Sequence, residues 1–511
     1  MRKIIAYDLG TGGIKASLFD ENGVSLAESF IQYETYFPHD KWCEQRPEDW
    51  WDGVCKSTKA LLEKNKCDPR EIAAAALSGH SLVVAPIGRD GRLLLDQVPI
   101  WCDMRSGDMH EAFFANVPYE KWYMTTGNGD PPECYSVLKL MWMKEHQRDI
   151  FDQTDVVLGS KDYINYKLTG TQCTDPSYAS GFGVFNLEKW DYEQAFIDAA
   201  GLPRSIFPDI VPSDAIVGTV SKEAASQTGL VEGIPIACGG VDNTCMALGA
   251  RGIGEGKIYT SLGSSSWIAV SAKKPILDLE TLPFVFAHAQ KGYYTSAVSI
   301  FSAGNSFRWV RDTLLKDVLP EEARYDRMNE MAATVPPGSN GLLFNPTLAG
   351  GSSQEDSPHT HGSFAGLSLG TTREDMVRAS MEGIAMALRC VLDILRKYVA
   401  TQGQEMLICG GGSKSRLWRQ MFADIYNMDV LKTNVDQDAA SLGAAALAAN
   451  ACGIWKGYDM IEGFHKTEDI SHPISENNAK YEKLLEAYRM WSGALSQLGD
   501  KMQQLHQEKV W

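Results

Sequence analysis

The sequence predicts an α/β fold built from two duplicated domains, and three observations carry that expectation. Residues 3–20, KIIAYDLGTGGIKASLFD, read as an apolar strand, a glycine-rich turn and a second strand. Residues 257–272, KIYTSLGSSSWIAVSA, repeat that grammar, so that Leu9-Gly10-Thr11-Gly12-Gly13 lines up with Leu262-Gly263-Ser264-Ser265-Ser266. Around each copy, strands and helices follow one another as in mixed sheets flanked by helices. An ordinary hairpin with small residues at its tip would explain either turn alone. The pair points to a duplication, with both tips turned toward one cleft.

The elements follow in order. After the first hairpin comes a third strand at about 24–36, then PEDWWDGVCKSTKALLEK, in which Trp50, Trp51, Val54, Cys55, Thr58, Leu61 and Leu62 fall on one helical face behind Pro47. Strands are expected at 72–77 and near 83–87. In the second half, Glu374 to Leu395 reads as a long amphipathic helix. GQEMLICGGG (403–412) is a strand ending in three glycines, followed by a helix, the short strand DVLKT and an alanine-rich helix. Ligands of α/β sheets gather at such strand-to-helix turns. Leu484, Tyr488, Trp491, Leu495, Leu498, Met502 and Leu505 form an apolar stripe at helical spacing. It reads either as the seam of a homodimer or, more often for such a stripe, as a terminal helix packed on its own domain.

The stretch GIPIACGGVDNTCMALGAR (233–251) organises the rest. A short buried strand meets Gly239-Gly240, which permit a tight turn and close approach of a ligand, and a helix opens at Asp242. Asp242 reads either as an N-cap or as a general base, its ionised form favoured by the open N–H groups of a helix start. The domain boundary is expected near 245–257, in ARGIGEGK.

Composition excludes several classes. Over 511 residues, 44% are hydrophobic and 22% charged, as in ordinary globular proteins, and the formal net charge is −17. That balance argues against nucleic-acid and anionic-membrane surfaces. Eleven cysteines without a C-x-x-C pair suggest neither a disulfide framework nor a zinc site. MRKIIAYDLG runs straight into strand-like sequence, and no run of about 18 apolar residues occurs, so no membrane partner and a cytoplasmic location are expected. No P-loop, complete G-x-G-x-x-G or H-E-x-x-H is present. His359 and His361 sit in a Ser/Pro/Gly loop and read as solvated rather than metal-binding.

Gly362-Ser363-Phe364-Ala365-Gly366-Leu367, followed by Asp375-Met376-Val377-Arg378-Ala379-Ser380-Met381-Glu382, is the segment that resembles the C-terminal signature of the FGGY carbohydrate kinases. The N-terminal signature is met by Ser136, Lys139, Leu140, Trp142, Met143, Glu145 and His146, with Cys134 departing from its first position. Within the family the chain looks most like the xylulokinases. The resemblance implies two RNase-H-like (actin-like ATPase) domains around a central cleft. They would comprise a sugar-binding and catalytic domain (1–250), a nucleotide-binding domain (251–460) and a helical tail (461–511) packed on the second. It implies ATP and Mg²⁺ as cofactors and a small sugar as substrate. Asp8, Thr11, Gly12 and Lys15 correspond to the first phosphate motif, with Asp8 near the metal. Gly263, Ser264 and Ser265 correspond to the second motif, and Gly411, Gly412 and Ser413 to the adenosine motif. Asp438 to Gly443 corresponds to a connecting helix. Asp242 would take the proton of the attacking sugar hydroxyl.

For the sugar, the resemblance implicates His80, Ser81, Trp101, Asp103 and Arg105, with Asp242 and Asn243. Asn243 suits a pentulose kinase. Ser78-Gly79-His80-Ser81-Leu82 departs from the S-G-Q-M-H of typical xylulokinases, placing Leu82 where the sugar-contacting His is expected. A ketopentose such as D-xylulose is therefore expected. Another sugar, a polyol or gluconate is the alternative, and a non-catalytic sugar- or nucleotide-binding protein on the same fold is another.

Overall fold

The computed structural model describes residues 2–251, 254–352, 354–400, 405–508 and 510. Gly252 and Ile253, inside the expected boundary stretch, and residues 403–404 of the expected strand lie outside the described residues. The chain forms two compact α/β units. One comprises Met1–Lys257, Ser271–Ser296 and Asp438–His465, and the other Ile258–Val270, Ala297–Gln437 and Lys466–Trp511.

In the first unit, β1 (Lys3–Gly10) and β2 (Gly13–Asp20) pair antiparallel, with Asp8 opposite Lys15 and Gly10 opposite Gly13. β3 (Ser25–Gln32) closes that edge, ends four residues before the expected limit, and leaves outer side chains such as Phe30 in solvent. α1 (Pro47–Lys64) begins at Pro47 with Glu48 and Asp49 in its first turn and Lys64 in its last, matching the helix dipole. Its buried face, with Trp50, Val54 and Leu61 fully enclosed, lies on β2 and β3. Each such large apolar side chain contributes about 1.5–3 kcal/mol of burial. β4 (Ile72–Gly79) runs parallel to β1. The expected strand near 83–87 is Ala85–Gly88, paired with Thr154–Leu158 in a separate ribbon.

Further along come α2 (Ser160–Thr169), β5 (Ile216–Thr219), β6 (Pro235–Ala237), β7 (Gly240–Val241) and α3 (Asp242–Gly249). The sheet order is β5-β6-β4-β1-β2-β3, with β7 also on β4. Residues 438–465 pack with the first unit. Helix Ala439–Ala451 crosses α3 so closely that a Cβ on Gly443 would stand 2.0 Å from the Cys245 carbonyl oxygen, and one on Gly249 would stand 1.8 Å from that of Ala439. The same helix lies on β4, whose IAAAALSG run is small enough to admit it.

In the second unit the sheet order is β10 (Tyr294–Ile300), β9 (Ser266–Ala272), β8 (Lys257–Leu262), β11 (Met406–Cys409), β12 (Val430–Thr433) and β13 (Thr467–Ser471). Its helices are α4 (Gly304–Leu314), α5 (Arg324–Ala333), α6 (Arg373–Leu395), α7 (Arg416–Tyr426) and α8 (Ser475–Gln507). A capping box between Thr372 and Asp375 starts α6. Buried Glu382 on α6 binds Arg378 at 2.6 Å and accepts from Tyr481 of α8 at 2.7 Å. The tail helix thus packs within this unit through Tyr481, Leu485 and Tyr488, while Leu498 and Met502 of the stripe stay exposed. Among the described residues no helix is long and apolar enough to cross a membrane.

Candidate active site

The first unit places one residue from each of four neighbouring strands in a row. Lys15 on β2 faces Asp8 on β1, Asp8 faces Ser78 on β4, and Ser78 faces Gly240 on β7. Ser78 Oγ donates to Asp8 Oδ1 at 2.8 Å, and Lys15 Nζ lies 2.7 Å from Asp438 Oδ1. Two residues beyond Gly240, Asp242 opens α3. Gly239 makes this possible: its φ is +80°, and a Cβ there would stand 2.0 Å from the Leu77 carbonyl oxygen.

The structure alters the expectation for Asp242 in two ways. Val241, not Asp242, is the N-cap, and Asp242 is the first helical residue, its Oδ1 accepting from the Asn243 N–H at 2.8 Å. The helix start does not hold the carboxylate in its ordinary ionised range. Burial first and the neighbouring charge of Asp8 second raise its pKa to about 7, and the one backbone hydrogen bond offsets only part of that. Burial likewise pushes Asp8 up, opposed by Lys15 and the Ser78 hydrogen bond.

The tip of the β1–β2 turn is held from outside. Tyr33 Oη donates to the Gly10 carbonyl, Gln45 Nε2 to that of Thr11 at 2.7 Å, and Trp101 Nε1 to Thr11 Oγ1 at 2.9 Å. Gly12 stays exposed, and among the described residues nothing stands within 4 Å of where its Cβ would be. The indole of Trp101 remains 40% exposed, so the tip presents an open aromatic surface beside an open backbone.

The other expected sugar residues are less available. Asp103 is fully buried and accepts from the Cys43 N–H at 2.7 Å and from Arg105 Nε and Nη2 at 2.8 and 2.7 Å. Arg105 also reaches Glu44 at 2.6 Å and lies 3.7 Å over the Trp42 ring. These two side chains brace the loop that carries Trp101. His80 is 1% exposed, with Nδ1 3.2 Å from the Leu9 carbonyl oxygen, and burial lowers its pKa to about 4, so it is neutral near pH 7. Its own carbonyl accepts from Ser160 and Tyr178. Ser81 and Asn243 are half-buried.

In the second unit, Gly263, Ser264, Gly411 and Gly412 line a cavity of about 730 Å³. The start of α4 seals the β8–β9 turn: the N–H groups of Ala303 and Asn305 donate to the Ser264 carbonyl, and that of Gly304 to Gly263. Ser265 and Ser413 are not part of this lining. Ser413 is buried and donates to Asp436, because the glycine turn directs it inward. Sequence reasoning missed other lining residues: Arg308, Arg311, Lys414, Tyr325, Asn329 and Trp418. Phe307 lies 5.9 Å from Tyr325 and 4.8 Å from Trp418, so the lining carries an aromatic cluster together with three cationic side chains and the carboxylate of Asp326, Arg311 being paired with Asp312 at 2.7 Å. The spacing of apolar residues along 304–314 and 416–426 signals one buried face for each helix, but not which cavity their cations border.

Residues 3–249 match the N-terminal domain, and residues 258–452 the C-terminal domain, of the FGGY family of carbohydrate kinases; the chain belongs to that family. It is 29% identical to the xylulose kinase of Bacillus subtilis (strain 168) over 497 residues, 96% of each chain. It is 27% identical to the gluconokinase of the same organism over 506 residues, 97% of this chain and 98% of the other. The ligand-bound xylulose kinase from Lactobacillus acidophilus superposes with a TM-score of 0.89 at 26% identity, covering 98% of this chain and all of the other. The expected carbohydrate kinase, with ATP as phosphoryl donor, and its two-domain α/β fold are thereby borne out.

Proposed function

We propose that this kinase transfers the γ-phosphoryl group of ATP to a hydroxyl of a ketopentose such as D-xylulose, with Asp242 as general base. The observation that carries the reading is the position of Asp242 at the end of the Lys15–Asp8–Ser78–Gly240 row, with a pKa near 7. A base of that strength is about half ionised at neutral pH, yet basic enough to accept a proton as the hydroxyl attacks. Gly10 to Gly13 and Lys15 would receive phosphate oxygens, and Trp101 would offer its exposed face to the apolar side of the sugar. The cavity between Gly263, Gly411 and the cations of 308, 311 and 414 suits a nucleoside triphosphate, since its lining combines positive charge with aromatic surface.

Mg²⁺ fits this residue set in a restricted way. Among the described residues no three His, Cys, Asp or Glu converge as a metal cage. Asp8 supplies one half-buried carboxylate, and Mg²⁺ commonly takes one or two carboxylates plus substrate phosphates and waters. Asp8 would hold the ion together with the nucleotide, and the ion would offset charge on the transferring phosphoryl group. Asp242 would move the proton, while the turn backbone orients the acceptor and phosphates.

A second reading keeps the reaction and changes the acceptor to gluconate or a polyol. The His80-Ser81-Leu82 departure and the similarity to a gluconokinase favour it. ADP release from Mg-ATP over a panel of ketopentoses, polyols and aldonates decides between them. A ketopentose response that vanishes in Asp242→Asn is expected. A response confined to gluconate would move the assignment to the second reading, and full turnover in Asp242→Asn would remove Asp242 as base.

A further inference from the structure

Directly behind the turn that carries Asp242 lies a closed polar cluster without a counterpart in the sequence motifs. Lys161, Asp162, Asp175 and Ser177 are each fully buried, and Ser213 is 1% exposed. Lys161 Nζ stands 2.5 Å from Asp162 and 3.0 Å from Asp175 Oδ1. The other oxygen of Asp175 accepts from Ser177 Oγ at 2.5 Å and from Ser213 Oγ at 2.7 Å. Ser177 Oγ in turn accepts from the Val241 N–H at 3.0 Å. Val241 caps the helix that begins with Asp242.

The polarity of this chain has one solution. A serine hydroxyl has a single proton, and an ionised carboxylate only accepts. The Ser177 proton therefore goes to Asp175, and a lone pair is left facing the Val241 N–H. Lys161 Nζ, 3.0 Å from Asp175 Oδ1, offsets the cost of burying that carboxylate. The preceding backbone is fixed too: the Cys238 carbonyl accepts from Asn165 Nδ2 at 2.7 Å, and the Gly239 N–H donates to the Ser213 carbonyl at 2.9 Å. A fold needing only burial here would be served by apolar side chains, as many buried ion pairs can be. Besides capping the helix at Pro176–Ala179, this cluster and its surroundings hold Cys238, Gly239 and Val241, three of the four residues before Asp242.

We propose that Ser177, oriented by the Lys161–Asp175 pair, is a positioning residue that sets where the Asp242 carboxylate stands. The inference rests on Asp242 being the base. Small displacements of a reacting group can cost on the order of 100-fold in rate, so the effect belongs to kcat. Ser177 is fully buried, so KM is expected to change little.

The test compares Ser177→Ala, Ser177→Thr, Thr174→Val and Asp242→Asn by steady-state ADP release and thermal melting. Thr174 Oγ1 donates to Asp162 at 2.8 Å, so Thr174→Val removes a hydrogen bond from the same buried cluster without touching Ser177. Ser177→Ala is expected to lower kcat about 10- to 100-fold, with both KM values within about two-fold and the acid limb of the pH profile unmoved. Ser177→Thr, which keeps the hydroxyl, is expected to recover most of that loss. Thr174→Val is expected to melt no higher than Ser177→Ala yet turn over at nearly the full rate. A wild-type kcat in Ser177→Ala, or an equal loss in Thr174→Val, overturns positioning. Full activity in Asp242→Asn would instead overturn the base on which it rests.

Discussion

Lys15 Nζ and Asp438 Oδ1 stand 2.7 Å apart although 423 residues separate them in the chain. The pair joins the β1–β2 hairpin to the start of helix Ala439–Ala451. It is partly solvated, so its net contribution to stability is expected to be at most about 1 kcal/mol. Lys15→Met should therefore leave melting nearly unchanged. If Lys15 also receives a phosphate oxygen, KM for ATP should rise about ten-fold or more, since charge-assisted hydrogen bonds contribute about 1.5–3 kcal/mol. An unchanged KM in a steady-state ATP titration would confine Lys15 to the ion pair.

The raised pKa of Asp242 makes a prediction about rate and pH. The base must be ionised, so kcat/KM for the sugar should fall ten-fold per pH unit below an inflection near 7. A rate profile from pH 5 to 9 measures it. An inflection near 4 would mean that burial and Asp8 do not govern this carboxylate in solution.

The same shift has a thermodynamic consequence with a definite sign. The folded pKa, about 7, lies above the ordinary carboxylate value of 3.8, so the native state binds a proton more tightly than the unfolded chain. Burying the charge therefore destabilises the fold above pH 7, and this penalty fades as pH falls toward 4. Asp242→Asn in the ligand-free protein should melt higher than the wild type at pH 8, by a difference on the order of a few kcal/mol. The two should converge near pH 4. Denaturant titrations at the two pH values test it.

Gly443 is a position where added bulk should be poorly tolerated. A Cβ there meets the Cys245 carbonyl oxygen at 2.0 Å, a backbone atom that cannot swing aside. Gly443→Ala should cost about 1–3 kcal/mol or more through overpacking, whereas the same change at Gly453, which has nothing within 4 Å among the described residues, is strained only by its φ of +63°. Melting temperatures of the two variants give the comparison.

Arg105 tests the role of the loop that carries Trp101. Its side chain is 3% exposed and its guanidinium bridges Asp103 and Glu44. Removing it leaves two buried carboxylates unpaired, so Arg105→Met should destabilise by about 3–5 kcal/mol. Arg105→Lys should recover only part of that, because an ammonium cannot reproduce the fork. A stable Arg105→Met with a raised sugar KM would return Arg105 to direct contact with substrate.

Local pattern made much of this legible. The hairpins at Leu9 and Leu262, the helix behind Pro47 and the Gly239-Gly240 turn are short-range features, set by side-chain periodicity and by glycine where backbone must pass close. The acceptor side resisted for the opposite reason. Whether Asp103 and Arg105 face a ligand or each other depends on Glu44 and Trp42, which lie far off in sequence. Arg308 and Arg311 lie on α4 and Lys414 in the glycine turn about 100 residues later, and only the fold brings the two segments to one cavity.

The residues by themselves determined a duplicated strand–turn–strand plan, small-residue tips that expose backbone N–H groups, and a carboxylate at the mouth of a helix. Only the tertiary structure decided how that carboxylate titrates, which unit takes residues 438–465, and which polar side chains are already occupied. Those outcomes depend on burial and on partners supplied from elsewhere in the chain. A pKa follows from desolvation and neighbouring charge, a helix crossing from two glycines meeting, and neither is encoded within one window of sequence.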